Sequence, residues 1–266
     1  MIRLENINKT FNKNTPNAVH VIKDLNLHVK DGDFITIIGS NGAGKTTLFN
    51  LISGNITACS GKVFMKDKEI THAPEFKRAK TMGRIFQDPL LGTAGNMTLE
   101  DNMMITYKKG FKWLKKSLNK KMREFFRKEL VQLDMGLEDR MTENISLLSG
   151  GQRQALTLLM TVLSNPDLIL LDEHTAALDP RNAALVMELT LKFINQYNLT
   201  AMMITHNMNH AIQYGNRLIM MDGGEVIIDI EGEEKKDLTP AKLVDMFSQI
   251  RKKDLENDEM LLAGGK

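Results

Sequence analysis

The segment from Gly39 to Thr46, Gly-Ser-Asn-Gly-Ala-Gly-Lys-Thr, constrains the fold of this chain more than any other. It fits the pattern G-x-x-x-x-G-K-[ST] at every position, and this pattern is typical of a loop that wraps nucleotide phosphates. The apolar run Phe34 to Ile38 precedes it and predicts a strand buried on both faces. Residues from Thr47 onward predict a helix, so a simple glycine-rich turn is the less favoured alternative.

This loop gives individual residues candidate roles. Its glycines allow close wrapping because no Cβ intervenes, and N–H groups at a helix start attract anions. We expect Lys45 to reach the β- and γ-phosphates and the Thr46 hydroxyl to bind Mg²⁺. The predicted nucleotide-binding positions here are Gly39, Ser40, Asn41, Gly42, Ala43, Gly44, Lys45, Thr46 and Thr47.

Two acidic residues follow another apolar run, Leu168 to Leu171. A carboxylate at the end of a buried strand can bind the magnesium of a neighbouring nucleotide, so Asp172 is a predicted metal ligand. Glu173 is the candidate to orient or deprotonate the attacking water. The alternative is a pair of solvated acids at a strand end, which the phosphate-binding loop makes less favoured.

Two further polar residues follow predicted strands. His206 comes after Met202 to Thr205, and its imidazole could hydrogen-bond the γ-phosphate or the water. Gln87 follows Gly83 to Phe86, and its amide could bind Mg²⁺ or the water. Either residue alone is more often structural, but all these strand ends belong to one sheet edge, where ligands of α/β folds collect.

The order of the segments predicts an α/β fold. Apolar strands that alternate with helical stretches indicate a parallel sheet with crossover helices. Ile2 to Ile7 alternates apolar and polar residues, as an edge strand does. We expect a core of residues 1–89 and 166–230, a helical subdomain at residues 90–165, and a C-terminal helix with a flexible tail at residues 231–266. That helix is predicted near Thr239 to Arg251.

The composition indicates the class of protein and the cellular compartment in which it works. Of the 266 residues, 42% are hydrophobic and 26% charged, as in ordinary globular proteins. The net charge of +2 gives no indication of a nucleic-acid partner, and the single cysteine, Cys59, fits a reducing compartment. We find no apolar run of about 18 residues and no signal-peptide pattern at the N-terminus. We therefore expect the chain at the cytoplasmic face of the cell membrane, without a span of its own.

A further motif identifies a family. Leu148-Ser149-Gly150-Gly151-Gln152 resembles the signature motif of ABC ATPases, and residues 1–230 resemble that family in the order and spacing of all their motifs. Ser149 can cap the helix that follows, and the two glycines leave a helix start open to anions. The resemblance implies an α/β P-loop NTPase (RecA-like) core with an inserted α-helical subdomain and an antiparallel β edge. It also implies nucleotide contacts from Ser149, Gly150, Gly151, Gln152, from Asp179 of the segment Ala177-Leu178-Asp179, and from Phe11 by stacking on adenine.

The resemblance implies an ATPase that uses ATP and Mg²⁺ and acts as a head-to-tail homodimer beneath a separate membrane permease. The segments 88–94 and 172–180 are similar to importer ATPases that work with a substrate-binding lipoprotein, which favours uptake of a small solute such as an amino acid. An exporter motor and a non-transport ABC ATPase are the alternatives. We expect the permease to contact residues 82–97 and 99–107.

Two segments depart from a simple assignment. The family usually has proline after the catalytic glutamate, whereas this chain has His174, for which we expect an exposed packing role, with a pH-sensitive site as the alternative. The segment Lys108 to Lys128 is strongly basic with interleaved apolar residues, which predicts an amphipathic helix. That helix could face anionic lipid or a partner, or simply pack its apolar side inward.

Overall fold

The computed structural model describes the fold of residues 1–107 and 118–263 and the side chains up to residue 252. The strands are β1 Ile2–Phe11, β2 Val19–Val29, β3 Phe34–Gly39, β4 Ser60–Met65, β5 Lys68–Glu69, β6 Met82–Ile85, β7 Leu168–Asp172, β8 Thr200–Ile204, β9 Arg217–Asp222 and β10 Glu225–Glu231. The helices are α1 Lys45–Ser53, α2 Glu75–Arg78, α3 Leu99–Tyr107, α4 Lys120–Val131, α5 Gly150–Leu163, α6 Pro180–Gln196, α7 Met208–Gln213, α8 Glu233–Lys236 and α9 Pro240–Ala263, with short 3-10 turns at Leu137–Asp139 and Ile145–Leu147.

A mostly parallel sheet forms the centre of the molecule, with the strand order β10-β9-β3-β8-β7-β6. Strands β3, β8 and β7 are buried along almost their whole length, as their apolar sequences predict. The neighbouring strands β6, β7, β8, β3 and β9 pair in parallel, and β10 pairs antiparallel with β9 at the edge. The carboxyl ends of β3, β6, β7 and β8 therefore lie along one edge of the sheet, which confirms the predicted α/β arrangement.

A second, antiparallel sheet has the order β2-β1-β4-β5. Its apolar side joins α1 and the central sheet in one core that includes Ile2, Ile22, Phe49 and Ile204. This core fixes the strand, loop and helix that surround Gly39 to Thr46, because both β3 and α1 pack into it.

A helical region lies on the other side of the sheet. Helices α3, α4 and α5 share a core with β7 and α6, in which Phe126, Leu156 and Phe193 are fully buried. Helix α4 occupies the second half of the predicted basic segment and buries Phe126 and Leu130 while exposing its lysines. Residues 108–117 of that segment lie outside the described residues.

The C-terminal segment is more helical than we predicted. Helix α9 begins at Pro240 and continues to Ala263, beyond the predicted end near Arg251 and through most of the segment expected to be a flexible tail. Leu243 is fully buried, and it belongs to a small core with Ile38, Leu218 and Met220 of the central sheet. This apolar contact holds the first turns of α9 against the sheet.

Candidate active site

The phosphate-binding loop leaves the sheet at Gly39, the last residue of β3. A Cβ at this position would lie 2.1 Å from the backbone oxygen of Met221, so only glycine fits. Helix α1 begins at Lys45, directly after Gly44, whose φ of 97° is left-handed. The loop therefore returns to a helix start whose first N–H groups have no partner within the helix, which is an anion-binding arrangement.

Lys45 lies within this loop. Its Nζ donates to the backbone oxygens of Gly39 at 2.8 Å and Ser40 at 2.9 Å. Burial lowers the pKa of this ammonium, and the nearby carboxylates of Glu173 and Asp172 partly offset that shift. A buried ammonium without a hydrogen-bonded carboxylate partner is available to a phosphate.

A cavity of about 200 Å³ lies over the loop. It is lined by Val21, Asn41, Gly42, Ala43, Gly44, Lys45, Thr46, Thr47, Glu173 and His206. The structure thus brings most of the predicted loop residues together with two of the three predicted catalytic side chains.

Glu173 and His206 face each other across this cavity. Their Oε1 and Nε2 atoms are 2.7 Å apart, and the Glu173 side chain is 15% exposed whereas that of His206 is 49% exposed. Glu173 comes directly after β7 with a φ of 48°, an uncommon conformation for a residue with a side chain. Its backbone N–H donates to the oxygen of Ile204 at 3.2 Å, which holds the residue after β7 against the end of the neighbouring strand β8. A carboxylate held in this way can accept a proton or a hydrogen bond from water.

Asp172 is the last residue of β7, and its side chain is 13% exposed. Its Oδ2 accepts a hydrogen bond from Nη2 of Arg84 at 2.7 Å. The same guanidinium donates through Nη1 to Oδ1 of Asn50 at 2.6 Å. Sequence reasoning missed Arg84 and Asn50, although a charged residue in the short strand β6 was a visible signal.

The donors available to a metal here are oxygen atoms. The Thr46 side chain is exposed at the second residue of α1, and Asp172 adds a carboxylate. Such hard ligands fit Mg²⁺, which usually binds through one or two protein groups together with phosphate oxygens and water. The described residues contain no group of three or more His, Cys, Asp or Glu side chains that could hold a metal by itself. These residues therefore fit Mg²⁺ that arrives with a nucleotide.

Other predicted residues lie outside this cavity. Gln87 is exposed two residues after β6. Phe11 ends β1 and is 37% exposed, with Nζ of Lys9 lying 5.2 Å from its ring centroid. Ser149 and Asp179 also do not line the cavity.

Ser149 and Gln152 form a reciprocal cap at the start of α5. The backbone N–H of Gln152 donates to Ser149 Oγ at 3.2 Å, and the backbone N–H of Ser149 donates to Gln152 Oε1 at 3.1 Å. Gly150 and Ser149 are exposed, so this helix start faces outward. A Cβ on Gly151 would approach Asn182 to 2.7 Å, so glycine is needed there for close packing.

Asp179 caps α6 and lies close to the same helix start. Its two carboxylate oxygens accept hydrogen bonds from Asn182, from the backbone N–H at 3.1 Å and from Nδ2 at 2.6 Å. These bonds lower the pKa of Asp179. Because Asn182 also packs against Gly151, the segment after Glu173 is held against α5, the helix that begins within the signature motif and is called the signature helix below.

His174 is buried, which corrects our expectation of an exposed residue. It is 2% exposed, and its Nε2 lies 3.0 Å from Oγ1 of Thr190. The Thr190 hydroxyl donates to the oxygen of Val186 at 2.7 Å, so the imidazole N–H donates to Thr190. Burial, with a smaller contribution from His210, lowers the pKa of His174 to about 4. This histidine is therefore neutral near pH 7 and belongs to the packing of α6.

Gln154 and Asp222 are two further polar links that sequence reasoning missed. The fully buried Gln154 of α5 donates to the backbone oxygens of Phe86 at 3.0 Å and His174 at 2.7 Å. Asp222, at the end of β9, accepts from Ser40 Oγ at 2.9 Å and pairs with Arg251 of α9 at 2.9 Å. The loop and its surroundings are thus tied to α5 and to α9.

Comparison with known proteins decides the family. The sequence model described as "ABC transporter" matches residues 22–176. The chain belongs to the ABC transporter family. It is an ATP-binding subunit of that family, and its enzymatic activity is ATP hydrolysis.

Individual relatives agree with this assignment. The chain is 41% identical over 249 residues to the Tyrosine transport ATP-binding protein of Clostridioides difficile, covering 93% of this chain and 98% of that protein. It is 35% identical over 230 residues to the Methionine import ATP-binding protein MetN 2 of Enterococcus faecalis, covering 85% of this chain and 64% of that longer protein. An ATP-binding cassette solved as a dimer in a post-hydrolysis state with ADP and Pi superposes with a TM-score of 0.73 at 26% identity, covering 87% of this chain and 98% of that one.

Among the described residues we find no helix whose length and apolar character would let it traverse a bilayer.

Proposed function

We propose that this chain drives the uptake of a small solute, in the first place an amino acid, by hydrolysing ATP beneath a separate membrane permease. The relatives from C. difficile and E. faecalis support the solute class, because they are named for tyrosine transport and methionine import. The permease and a substrate-binding lipoprotein would select the solute. The working position is the cytoplasmic face of the cell membrane.

One observation carries the catalytic part of this proposal: the Glu173–His206 pair opens into the same cavity as the phosphate-binding loop. The N–H groups at the start of α1 and the Lys45 ammonium bind the phosphates. Glu173 orients the attacking water and accepts its proton, and His206 holds that carboxylate and the γ-phosphate. Thr46 and Asp172, assisted by Gln87, would hold Mg²⁺, which would supply positive charge beside the phosphates.

The site becomes complete only with a second copy of the chain. The start of α5, where Ser149 and Gly150 are exposed and Gly151 packs against Asn182, is an anion-binding arrangement that does not line the cavity of its own chain. In a head-to-tail homodimer each loop faces the partner's signature helix, and each chain supplies one half of two equal sites. The structurally similar ATP-binding cassette that was solved as a dimer supports this arrangement.

An apolar groove between the core and the helical region suits a permease. Its volume is about 380 Å³, and it is lined in part by Met82, Gly83, Ile105 and Met160. Ile105 is 52% exposed and Phe76 at its edge 68% exposed, which is unusual for large apolar side chains unless a partner covers them. The groove overlaps the segments 82–97 and 99–107, so we propose that a short cytoplasmic helix of the permease docks there.

Glu173→Gln tests the catalytic assignment. The amide keeps the shape of the side chain but cannot accept the proton, so we expect ATP binding to be retained and the rate of hydrolysis to fall by roughly 10²–10⁴-fold. Nucleotide titration and phosphate release measure these two quantities, and ATP should now hold the variant as a dimer in size-exclusion chromatography.

Glu188→Gln, on α6 away from the cavity, is the matched control and should hydrolyse ATP at the normal rate. If Glu173→Gln hydrolyses ATP as fast as the unaltered protein, Glu173 is not the catalytic base. Co-purification with a membrane-spanning partner tests the transport role independently.

A further inference from the structure

Arg84 joins three parts of the active site through one guanidinium. Its Nη2 donates to Oδ2 of Asp172 at 2.7 Å, and its Nη1 donates to Oδ1 of Asn50 at 2.6 Å. Its Cζ lies 4.8 Å from the ring centroid of Phe86, the residue before Gln87. The end of β7, helix α1 and the segment after β6 are therefore connected by this side chain.

This contact is shielded from water. The Arg84 side chain is 12% exposed and that of Asp172 is 13% exposed, so their attraction is screened far less than at the surface. Nε of Arg84 is buried without a hydrogen-bond partner among the described residues. An unpaired buried N–H costs stability. The Arg84 side chain therefore makes its hydrogen bond to Asp172 although its own Nε is left without a partner.

The arrangement leaves part of Asp172 available. Within the described part of the chain, only its Oδ2 accepts a hydrogen bond, and Oδ1 has none. Lys45 donates to the loop carbonyls instead of to Asp172. Arg84 thus balances the charge of this carboxylate without using the ammonium that the phosphates need.

We infer that Arg84 is a positioning residue for the metal site, which holds Asp172 through Oδ2 and so presents Oδ1 to the magnesium of the bound nucleotide. The planar guanidinium can do this because it reaches Asp172 and Asn50 at the same time, which an ammonium cannot. This inference rests on the proposed function, since Asp172 is itself a proposed metal ligand.

The test compares nucleotide affinity with and without Mg²⁺. ATP is titrated into the full chain in excess Mg²⁺ and in EDTA, and the ratio of the two affinities reports the contribution of the metal. Loss of a group that orients a metal ligand typically lowers metal affinity 10–100-fold. We expect Arg84→Met to lower the ratio by at least about tenfold while the affinity in EDTA stays within about twofold.

Three further variants sharpen the test. Arg84→Lys keeps the charge and should recover part of the ratio, and Asn50→Ala should lower it less than Arg84→Met because the bond to Asp172 remains. Arg3→Met is the matched control, since Arg3 also pairs with a carboxylate, Glu5 at 2.9 Å, and stacks on a ring, Phe64 at 4.6 Å, outside the site. It should leave the ratio unchanged.

An unchanged ratio in Arg84→Met overturns the inference, and so does a loss of affinity that is equal with and without Mg²⁺, because that pattern indicates a general structural defect. If Arg84→Met does not fold, identical ratios for Arg84→Lys, Asn50→Ala and the unaltered protein overturn it instead. If Mg²⁺ strengthens ATP binding in the unaltered protein and equally in these variants, the inference about Arg84 fails but the proposed function stands. Absence of any Mg²⁺ effect in the unaltered protein contradicts the proposed metal site itself.

Discussion

Lys45 is the residue on which we propose that phosphate binding depends most. It is buried, its pKa is lowered by desolvation, and the hydrogen bonds of its Nζ go to two loop carbonyls. A hydrogen bond to a charged group contributes about 1.5–3 kcal/mol, so we expect Lys45→Ala to weaken ATP binding by about ten- to a hundredfold. Equilibrium titration of ATP measures this.

Lys66→Ala is the control for Lys45→Ala. The Lys66 ammonium also has a defined partner, Asp167 at 2.5 Å, but it lies outside the cavity and is exposed. ATP affinity should not change in this variant. Normal affinity in Lys45→Ala would count against the assignment of the loop.

His174 predicts how stability depends on pH. Its pKa falls from 6.5 to about 4 on folding, so the folded state binds fewer protons than the unfolded state between these values. The contribution of neutral His174 is fully present above about pH 6.5 and is lost as the pH falls toward 4. A shift of this size corresponds to roughly 3 kcal/mol in the free energy of unfolding.

Urea unfolding at a series of pH values between 7 and 4 measures this dependence. His174→Gln removes the titrating group while it keeps a donor for Thr190, so its stability should fall less steeply with acid than that of the unaltered protein. His72→Gln, which alters an exposed histidine, should keep the original slope. Equal slopes for all three proteins would mean that His174 does not remain neutral and buried on acidification.

At the scale of elements, the start of α5 combines two roles that can be separated. Ser149 stabilises the helix through its cap with Gln152, and we propose that it also binds the γ-phosphate of the partner's nucleotide. Ser149→Ala should lower the free energy of unfolding by about 1 kcal/mol, or the Tm by about 2–4 °C. It should also lower ATPase activity. Ser149→Asp preserves a good cap but places a negative charge against phosphate. We expect it to keep the Tm and to lose ATPase activity.

Asn119→Ala is the control for the cap alone. Asn119 caps α4 by accepting from the backbone N–H of Met122 at 2.9 Å, and it takes no part in the proposed site. This variant should lose a similar amount of Tm and retain ATPase activity. If Ser149→Asp hydrolyses ATP normally, the helix start does not bind phosphate.

Some elements and contacts of this structure were predictable from the sequence, and others were not. Buried strands such as β3 and β7 were predictable because apolar runs indicate burial, and the confirmed α/β fold follows from their order. The contact between Arg84 and Asp172 was not predictable, because it depends on the register of β6 against β7. His174 was misjudged because its burial depends on packing against α6, at Thr190, and the residues around position 174 give no sign of that contact. The length of α9 was missed because its polar residues gave no apolar periodicity.

At the scale of the whole molecule, we propose that each chain carries two phosphate-binding surfaces, which do not line a common cavity. The cavity over α1 contains Lys45 and Glu173, whereas the capped start of α5 with Ser149 does not line it. In the dimer that we propose, a single chain therefore offers its loop and its signature helix to different nucleotides. This geometry makes a specific prediction for mixtures of defective chains.

Lys45→Ala and Ser149→Asp chains should complement each other when mixed. In a head-to-tail dimer of the two, one site combines both defects, and the other combines an intact loop with an intact signature helix. Random pairing gives about half mixed dimers with one working site each, so the mixture should reach up to about a quarter of normal ATPase activity. Neither variant alone should approach this rate. If the mixture is no more active than the sum of its components, the loop of one chain and the signature helix of another do not form a working site, and the dimer we propose is wrong.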